Sequence, residues 1–235
     1  MYKRQFLDRI REFLRAKKAH ENNPTTVPAP QLPPILLHGG PGVGKTFSTN
    51  SLADLAREEG DGILFCAPTG VAASNSKEEG RTIHSLLGIG THLPSLNFYE
   101  LLAGTDTKLQ SMRDRFKGKS ILVIDEISMV GPIWLAHINM RLKEITGEHN
   151  LPFGGILVIG LGDFFQLPPT VPKDTLFGAV LKLHVFDSDL GPPGCPRRDG
   201  AELFSTFIMM ELTQQMRAPD DSTHCPLIDV LRDPP

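Results

Sequence analysis

Residues 39–46 have the types and spacing of a phosphate-binding loop. The pattern is G-x-x-x-x-G-K-[ST], and it is filled by Gly39, Gly40, Pro41, Gly42, Val43, Gly44, Lys45 and Thr46. Glycine lets the backbone approach closely, so that N–H groups converge on a phosphate. The Lys45 ammonium can reach the β- and γ-phosphates, and the Thr46 hydroxyl can ligate Mg²⁺. The pattern predicts that this loop binds a nucleoside triphosphate; a glycine-rich turn without a ligand is the alternative.

Two carboxylates, Asp125 and Glu126, directly follow the apolar run 121–124. At the end of a strand, Asp125 would face the loop that holds Mg²⁺ and would bind the ion through water, because Mg²⁺ keeps several of its waters. Glu126 would then orient or deprotonate the attacking water. The alternative is that either carboxylate only caps the following turn. Downstream of a phosphate loop, the pair favours a catalytic role together with Lys45.

An acid and an amide also follow the next apolar run, in the segment 162–169 that contains Gln166. A glutamine is not a strong base, but its amide can hydrogen-bond the γ-phosphate or the water and so respond to the terminal phosphate. The alternative is a turn ended by proline that leaves Gln166 in solvent. We therefore predict Gln166 as a further catalytic residue.

Five near-continuous apolar runs predict strands, because strands buried on both faces of a sheet lack polar positions. They are residues 35–38, 63–66, 121–124, 156–159 and 207–210. Helical patterns lie between several of them, chiefly at 45–59 and 132–146. This alternation predicts an α/β fold with a mainly parallel sheet and helices on both faces. Right-handed crossovers then bring the loops after the strands to one edge, where ligands bind.

The chain divides into four predicted regions. Residues 1–20 carry apolar side chains on one helical face and form an amphipathic helix, and the polar, proline-rich residues 21–34 form a linker. Residues 35–218 hold the α/β domain, and residues 219–235 are a short tail. Within the domain, residues 187–200 have the composition of an irregular loop.

The composition limits the classes of protein to which the chain can belong. A net charge of −3 over 235 residues gives no overall basic field, although a local groove would be enough to bind DNA. Three cysteines do not make a disulfide framework, which favours a reducing compartment. The sequence has neither a long apolar run that predicts a membrane span nor the apolar core of a signal peptide, so we expect no membrane partner.

The ordered motifs resemble the first RecA-like motor domain of a superfamily-one DNA helicase of the petite-integration-frequency (PIF) type, including the helicases of Helitron-like transposons. The matching segments lie at residues 39–46, 67–73, 82–88, 123–130, 162–169 and 211–218. The resemblance implies a RecA-like fold, ATP as substrate with Mg²⁺ as cofactor, and single-stranded DNA as partner. It also implies 5′-to-3′ unwinding or translocation driven by ATP hydrolysis.

The resemblance assigns further residues. It implies that Thr69, Gly70, Thr82 and His84 contact the DNA backbone, which suits small residues and hydrogen-bond donors that read no sequence. Composition alone would make His84 a core or capping histidine. By the same resemblance, Arg217 reaches the γ-phosphate and stabilises charge in the transition state. Gln5 corresponds to a glutamine that recognises adenine, or else it is a solvated residue at a helix start.

Helicases of this family have a second RecA-like domain that completes the ATP site, and the sequence up to Pro235 contains none of its motifs. The expectation is therefore one half of a motor that works with a second domain or a partner chain. We expect the 235 residues to bind ATP weakly and to unwind DNA poorly or not at all. Two other hypotheses stay open: a P-loop ATPase of another class, and a fragment that binds ATP or DNA without catalysis.

The resemblance also suggests a cellular setting: the nucleus, with roles in DNA repair, recombination or telomere maintenance.

Trp134 follows the Asp125–Glu126 pair by eight residues. We expect it in the core or at an interface, with stacking on a DNA base as the alternative.

Overall fold

The structure is a computed structural model. It describes residues 2–40, 42–74, 79–90, 106–164, 175–185 and 188–212, apart from the side chains of residues 2, 3 and 46. Six strands form one sheet in this part of the chain: β1 (Ile35–His38), β2 (Gly62–Ala67), β3 (Arg81–Thr82), β4 (Lys119–Ile124), β5 (Leu157–Gly162) and β6 (Ile208–Glu211).

Eight α-helices are described with these strands. They are α1 (Tyr2–Asn22), α2 (Lys45–Glu58), α3 (Gly70–Ser74), α4 (Ile83–Leu87), α5 (Thr107–Phe116), α6 (Pro132–Thr146), α7 (Leu176–His184) and α8 (Pro196–Ser205). Short 3-10 turns lie at Ile127–Met129, Pro152–Gly155 and Ser188–Leu190. Helix α1 extends two residues beyond the predicted limit of 20.

The strand order is β3-β2-β4-β5-β1-β6, and every described strand pair is parallel. Strand β1 lies inside the sheet, next to the edge strand β6, and pairs with β5 on its other side. This is the predicted α/β fold. The parallel pairing brings all the strand carboxyl ends to one edge, where ligands bind in such sheets.

Helices cover both faces of the sheet, as the sequence predicts. Along β4, Ile121 and Val123 pack with α1 and α2, whereas Leu122 and Ile124 pack with α4, α5, α6 and α8 on the opposite face. Side chains alternate between the faces of a strand, so a run of apolar residues is needed when both faces are covered. All four of these side chains are fully buried.

Two details of the predicted elements are wrong. Residues 187–200 are not one irregular loop, because α8 begins at Pro196 and buries Ala201 and Phe204 against the domain. Proline is tolerated in the first helical turn, where no N–H is required, so the prolines and glycines around it concealed this helix. The two-residue strand β3 was not predicted, since Arg81 and Thr82 have no apolar pattern.

Candidate nucleotide and DNA site

Strand β1 leads directly into the phosphate loop, and both neighbouring strands hold the loop at its start. The N–H of Leu212, after β6, donates to the carbonyl of His38 at 2.8 Å, and the N–H of Gly39 donates to the carbonyl of Gly162 at 3.4 Å. A Cβ atom on Gly39 would lie 2.7 Å from the Leu212 carbonyl oxygen and 2.7 Å from Val43 Cγ2. Glycine is therefore the residue that fits at position 39.

The loop bends back through glycines in left-handed conformations. Gly42 has φ 82° and Gly44 has φ 88°, values that a residue with a Cβ adopts only with strain. Helix α2 starts directly afterwards, and the N–H of Ser48 donates to the carbonyl of Gly44 at 2.9 Å. Loop and helix start together form the arrangement that binds phosphates in proteins.

The Lys45 side chain lies across the loop. Its Nζ donates to the carbonyl oxygens of Gly39 at 2.6 Å and Gly40 at 3.0 Å. The same ammonium is close enough to Asp125 and Glu126 to oppose, through its positive charge, the rise in their pKa values. The geometry thus brings the cation of the loop and the two predicted catalytic carboxylates to one place.

Asp125 and Glu126 follow β4 and are only partly exposed. Burial raises the pKa of both carboxyl groups, and the negative charge of Asp125 adds to the rise at Glu126. An oxygen of Asp125 accepts a hydrogen bond from the Glu126 N–H at 2.9 Å. Glu126 has φ 51° and ψ 44°, in the left-handed region that costs a non-glycine residue about 1 kcal/mol or more.

The 3-10 turn Ile127–Met129 rests on strand β5, and it does so because β5 carries glycines. A Cβ on Gly160 would lie 2.5 Å from Ile127 Cδ1, and one on Gly162 would lie 3.2 Å from the Ser128 nitrogen. Asp163, directly after β5, is 1% exposed, and its charge contributes to the raised pKa of Glu126. The alternate glycines of β5, of which only Gly162 belongs to a predicted motif, are a further signal in the sequence.

The donors near Asp125 fit a hard divalent cation. Mg²⁺ prefers oxygen ligands, takes one or two from the protein, and fills its other positions with water and phosphate oxygens. A cation beside Asp125 would offset the cost of burying its carboxylate. Among the described residues, no group of three or more His, Cys, Asp or Glu side chains is placed to hold a metal ion.

Several predicted site residues lie outside the described residues. They are Pro41, Gln166 and Arg217, and for Thr46 the backbone begins α2 while the side chain is not described. Their assigned roles remain predictions.

Thr69 and Thr82 lie at the ends of two adjacent strands, since Ala67 of β2 is paired with Thr82 of β3. The Thr69 hydroxyl accepts from the Ala72 N–H at 3.2 Å, and the Thr82 hydroxyl accepts from the Ser85 N–H at 3.2 Å. Each hydroxyl keeps its own proton as a donor. A Cβ on the exposed Gly70 would meet nothing within 4 Å, so backbone and hydroxyl groups are open to a ligand here.

His84 lies on α4, two residues beyond Thr82, and its side chain is partly exposed. Its ring meets the indole of Trp134 from α6 edge to face, with 4.9 Å between the ring centroids and an interplanar angle of 73°. Trp134 packs against the core cluster, as the core interpretation predicts. His84 is therefore neither a fully buried core residue nor an isolated surface side chain.

Gln5 is exposed on α1 and lines a cleft of about 870 Å³ together with Asp8, Arg9, Glu12 and residues 208–211 of β6. The end of β6 leads to Leu212, the residue that contacts Gly39. The cleft thus connects α1 to the edge that carries the phosphate loop.

Phe47, one residue after Thr46, is 54% exposed beside that loop, and it belongs to none of the predicted motifs.

Fold and site together define a RecA-like phosphate-loop nucleotide-binding domain, with a parallel sheet whose carboxyl edge carries the loop and the Asp125–Glu126 turn. A family model described as PIF1-like helicase matches residues 25–184. The chain belongs to this family.

Curated relatives agree with the family assignment. The protein of Psychrobacter sp. (strain PRwf-1) named ATP-dependent DNA helicase Pif1 is 38% identical over 135 residues, covering 57% of this chain and 20% of the relative. The Emericella nidulans protein named ATP-dependent DNA helicase PIF1 is 40% identical over 146 residues, covering 59% of this chain and 18% of the relative. The chain therefore spans about a fifth of the length of these relatives.

Solved structures give the same result for the fold. Bacteroides Pif1 bound to ssDNA is 28% identical, with a TM-score of 0.64, over 86% of this chain and 43% of the other. Bacteroides sp. Pif1 in complex with ADP-AlF4 is 27% identical, with a TM-score of 0.61, over 95% of this chain and 44% of the other. Within the described residues, no helix combines the length and apolar character that crossing a membrane requires.

Proposed function

We propose that this chain supplies the first motor domain of an ATP-dependent DNA helicase, in which ATP hydrolysis drives translocation along single-stranded DNA and unwinding. The observation that carries the proposal is the convergence of the Lys45 ammonium with the Asp125 and Glu126 carboxylates at one sheet edge. A loop that only turns the chain would need no lysine across it and no partly buried carboxylate pair beside it.

ATP would bind with its phosphates on residues 39–46. In that complex the Lys45 ammonium exchanges the carbonyl oxygens of Gly39 and Gly40 for phosphate oxygens, which are stronger partners because they are charged. Gln5, in the cleft between α1 and β6, is the proposed contact of the adenine base. Thr46 and Asp125 would hold Mg²⁺, which when bound neutralises phosphate charge.

Glu126 is the proposed general base for the attacking water. Burial and the Asp125 charge raise the pKa of its carboxyl group, which makes the ionised form a better proton acceptor than an exposed glutamate. Gln166 would orient the water or bind the γ-phosphate, and Arg217 would stabilise the charge that develops during transfer. These two assignments rest on the sequence motifs.

Thr69, Gly70, Thr82 and His84 are the proposed contacts to the DNA backbone. They lie at the ends of the adjacent strands β2 and β3 or at the start of the following helices, on the same sheet edge as the ATP site. Contacts to phosphates carry no sequence information, which suits a protein that moves along DNA. The solved Bacteroides Pif1 bound to ssDNA supports this choice of partner.

The wider role follows the relatives. We propose 5′-to-3′ movement, assistance from a second motor domain or partner chain, and a place inside the cell, in the nucleus, in DNA repair, recombination or telomere maintenance. Support comes from the family and from fungal relatives named ATP-dependent DNA helicase PIF1.

The test measures ATP binding and hydrolysis by the 235-residue chain with and without oligothymidylate. We expect DNA to stimulate hydrolysis, and Lys45→Ala to weaken ATP binding by about tenfold or more through loss of a charged hydrogen bond. Lys117→Ala, in the exposed turn after α5, is the matched control and should leave binding unchanged.

Three outcomes would contradict the proposal in different ways. If Lys45→Ala bound ATP as tightly as the wild type, the loop assignment would be wrong. Hydrolysis without any response to DNA would favour a P-loop ATPase of another kind. Binding of ATP and DNA without turnover would leave only a binding function for the chain.

A further inference from the structure

The His84 side chain has one ring partner in the described part of the chain, the indole of Trp134. The backbone around His84 is held by other groups. Ile83 and Leu86 are buried in the core, and Arg115 donates from its Nη1 to the carbonyls of Ser85 at 3.3 Å and Leu86 at 3.2 Å. These contacts fix α4, but they do not set the direction of the His84 ring. The edge-to-face contact with Trp134 is the contact that the structure gives for the ring itself.

Trp134 lies on helix α6, whose backbone is packed tightly against the rest of the domain. Helix α6 has Pro132 in its first turn and is buried along most of its length. Gly200 of α8 packs against it so closely that an added Cβ would lie 1.8 Å from the Pro132 carbonyl oxygen. The backbone that carries the indole is therefore held in place, and the partly buried indole packs against the core cluster.

The same stretch of chain also carries the proposed catalytic carboxylates. Glu126 precedes the 3-10 turn Ile127–Met129, and α6 begins only three residues after that turn ends. Trp134 is the third residue of α6. A short, buried segment thus joins the Glu126 carboxylate at the ATP site to the side chain that touches His84 at the proposed DNA face.

We propose that Trp134 is a positioning residue that holds the His84 ring toward a DNA phosphate. The inference deepens the proposed function and rests on it. The base-stacking role that the sequence left open for Trp134 is not favoured, because its ring packs on the core and on His84.

Trp134 is the single tryptophan of the chain, so tryptophan fluorescence reports on this residue alone. At a fixed pH, we expect His84→Ala to change the emission of Trp134, because the substitution removes the ring that packs edge to face on the indole. His149→Ala, which replaces an exposed histidine after α6, is the control and should leave the emission unchanged. An unchanged emission in His84→Ala would overturn the contact.

Oligothymidylate binding by the full chain tests the positioning role. We expect Trp134→Leu to weaken binding on the order of five-fold, as loss of an aromatic contact would, and Trp134→Phe to retain most of the affinity. Adding His84→Ala to Trp134→Leu should cost little more, because the two changes remove one interaction. Additive losses, or wild-type affinity in Trp134→Leu, would overturn the inference.

The fluorescence and DNA-binding experiments together distinguish a failure of this inference from a failure of the proposed function. If the wild-type chain does not bind oligothymidylate, the DNA-binding proposal fails, while the fluorescence of His84→Ala still decides whether His84 and Trp134 touch. If the wild type binds and the two changes are additive, DNA binding stands and the positioning role falls. Thermal unfolding of each variant checks the fold, and should Trp134→Leu fail to fold, Trp134→Met, which keeps an apolar side chain without a ring, takes its place in both measurements.

Discussion

The side chain of Ile127 lies over Gly160, with its Cδ1 only 2.5 Å from the place that a Cβ would occupy there. This contact seats the turn after Glu126 on strand β5. Both residues are buried, so neither can move into solvent to make room. The position of the proposed catalytic carboxylates therefore depends on the absence of a side chain at residue 160.

Replacing that glycine tests the dependence. Gly160→Ala is expected to lower the free energy of unfolding by about 1–3 kcal/mol, the usual cost of overpacking a core. It should also reduce ATP hydrolysis more than ATP binding, because the displaced turn carries Glu126 while the phosphate loop stays in place. Gly90→Ala, where a Cβ meets nothing within 4 Å, is the control. Equal stability of both variants would contradict the contact.

The backbone of Glu126 gives a second prediction. Its left-handed φ of 51° disfavours any residue with a Cβ, so Glu126→Gly should be more stable than Glu126→Gln by about 1 kcal/mol in chemical denaturation. Both variants lose the proposed base and should lose hydrolysis while still binding ATP. If the glycine variant were no more stable than the glutamine variant, the strain at this position would not exist.

The pH dependence of stability is a third test, through Asp125. Burial raises the pKa of its carboxyl group above the unfolded value, so ionisation costs more in the folded chain than in the unfolded chain. The folded state of the wild type therefore loses stability as the pH rises through the unfolded pKa and then the folded pKa. Asp125→Asn should be more stable than the wild type at neutral pH, with a gain that vanishes below the ordinary carboxyl range.

Thermal unfolding at a series of pH values, without nucleotide or Mg²⁺, measures this effect. Glu148→Gln, an exposed carboxylate after α6, should show no comparable gain. A constant difference between Asp125→Asn and wild type across the whole pH range would mean that burial of the charge is not its cause. The same variant should bind ATP–Mg²⁺ more weakly, since stability and function compete at this residue.

Helix α8 gives a fourth prediction. Because a Cβ on Gly200 would lie 1.8 Å from the Pro132 carbonyl oxygen, Gly200→Ala must push α8 away from α6. We expect a loss of at least about 1–3 kcal/mol in unfolding free energy. Glu202→Ala, on the exposed side of the same helix, should change stability little. Equal melting temperatures for the two variants would contradict the close packing of these helices.

Sequence patterns predicted the parts of this fold whose signals are local. Strands β1, β2 and β4 are continuous apolar runs and were found within a residue or two of their bounds. Strand β5 extends to Gly162, further than predicted, because glycines interrupt its apolar pattern. Helix α8 was missed because its prolines and glycines indicate a loop locally, whereas Ala201 and Phe204 reveal a helix only through the core they join.

In the candidate site, too, local motifs could be predicted from the sequence, whereas contacts between distant residues could not. The phosphate loop and the Asp125–Glu126 pair are local motifs, and the structure brings their charges together. The contact of Ile127 with Gly160 and that of His84 with Trp134 join residues far apart in the chain, so no spacing rule predicts them. Gln166 and Arg217 lie outside the described residues and stay predictions.

The pairing of β1 has a consequence for how the chain folds. Within the described residues, the strand partners of Ile35 are Ile159 and Ile208, both far along the chain, so closing these contacts requires long loops and a correspondingly high entropic cost. During synthesis, the phosphate loop emerges before the strands β5 and β6 that flank it. A chain that lacked these two strands would carry the motif without its supporting strands.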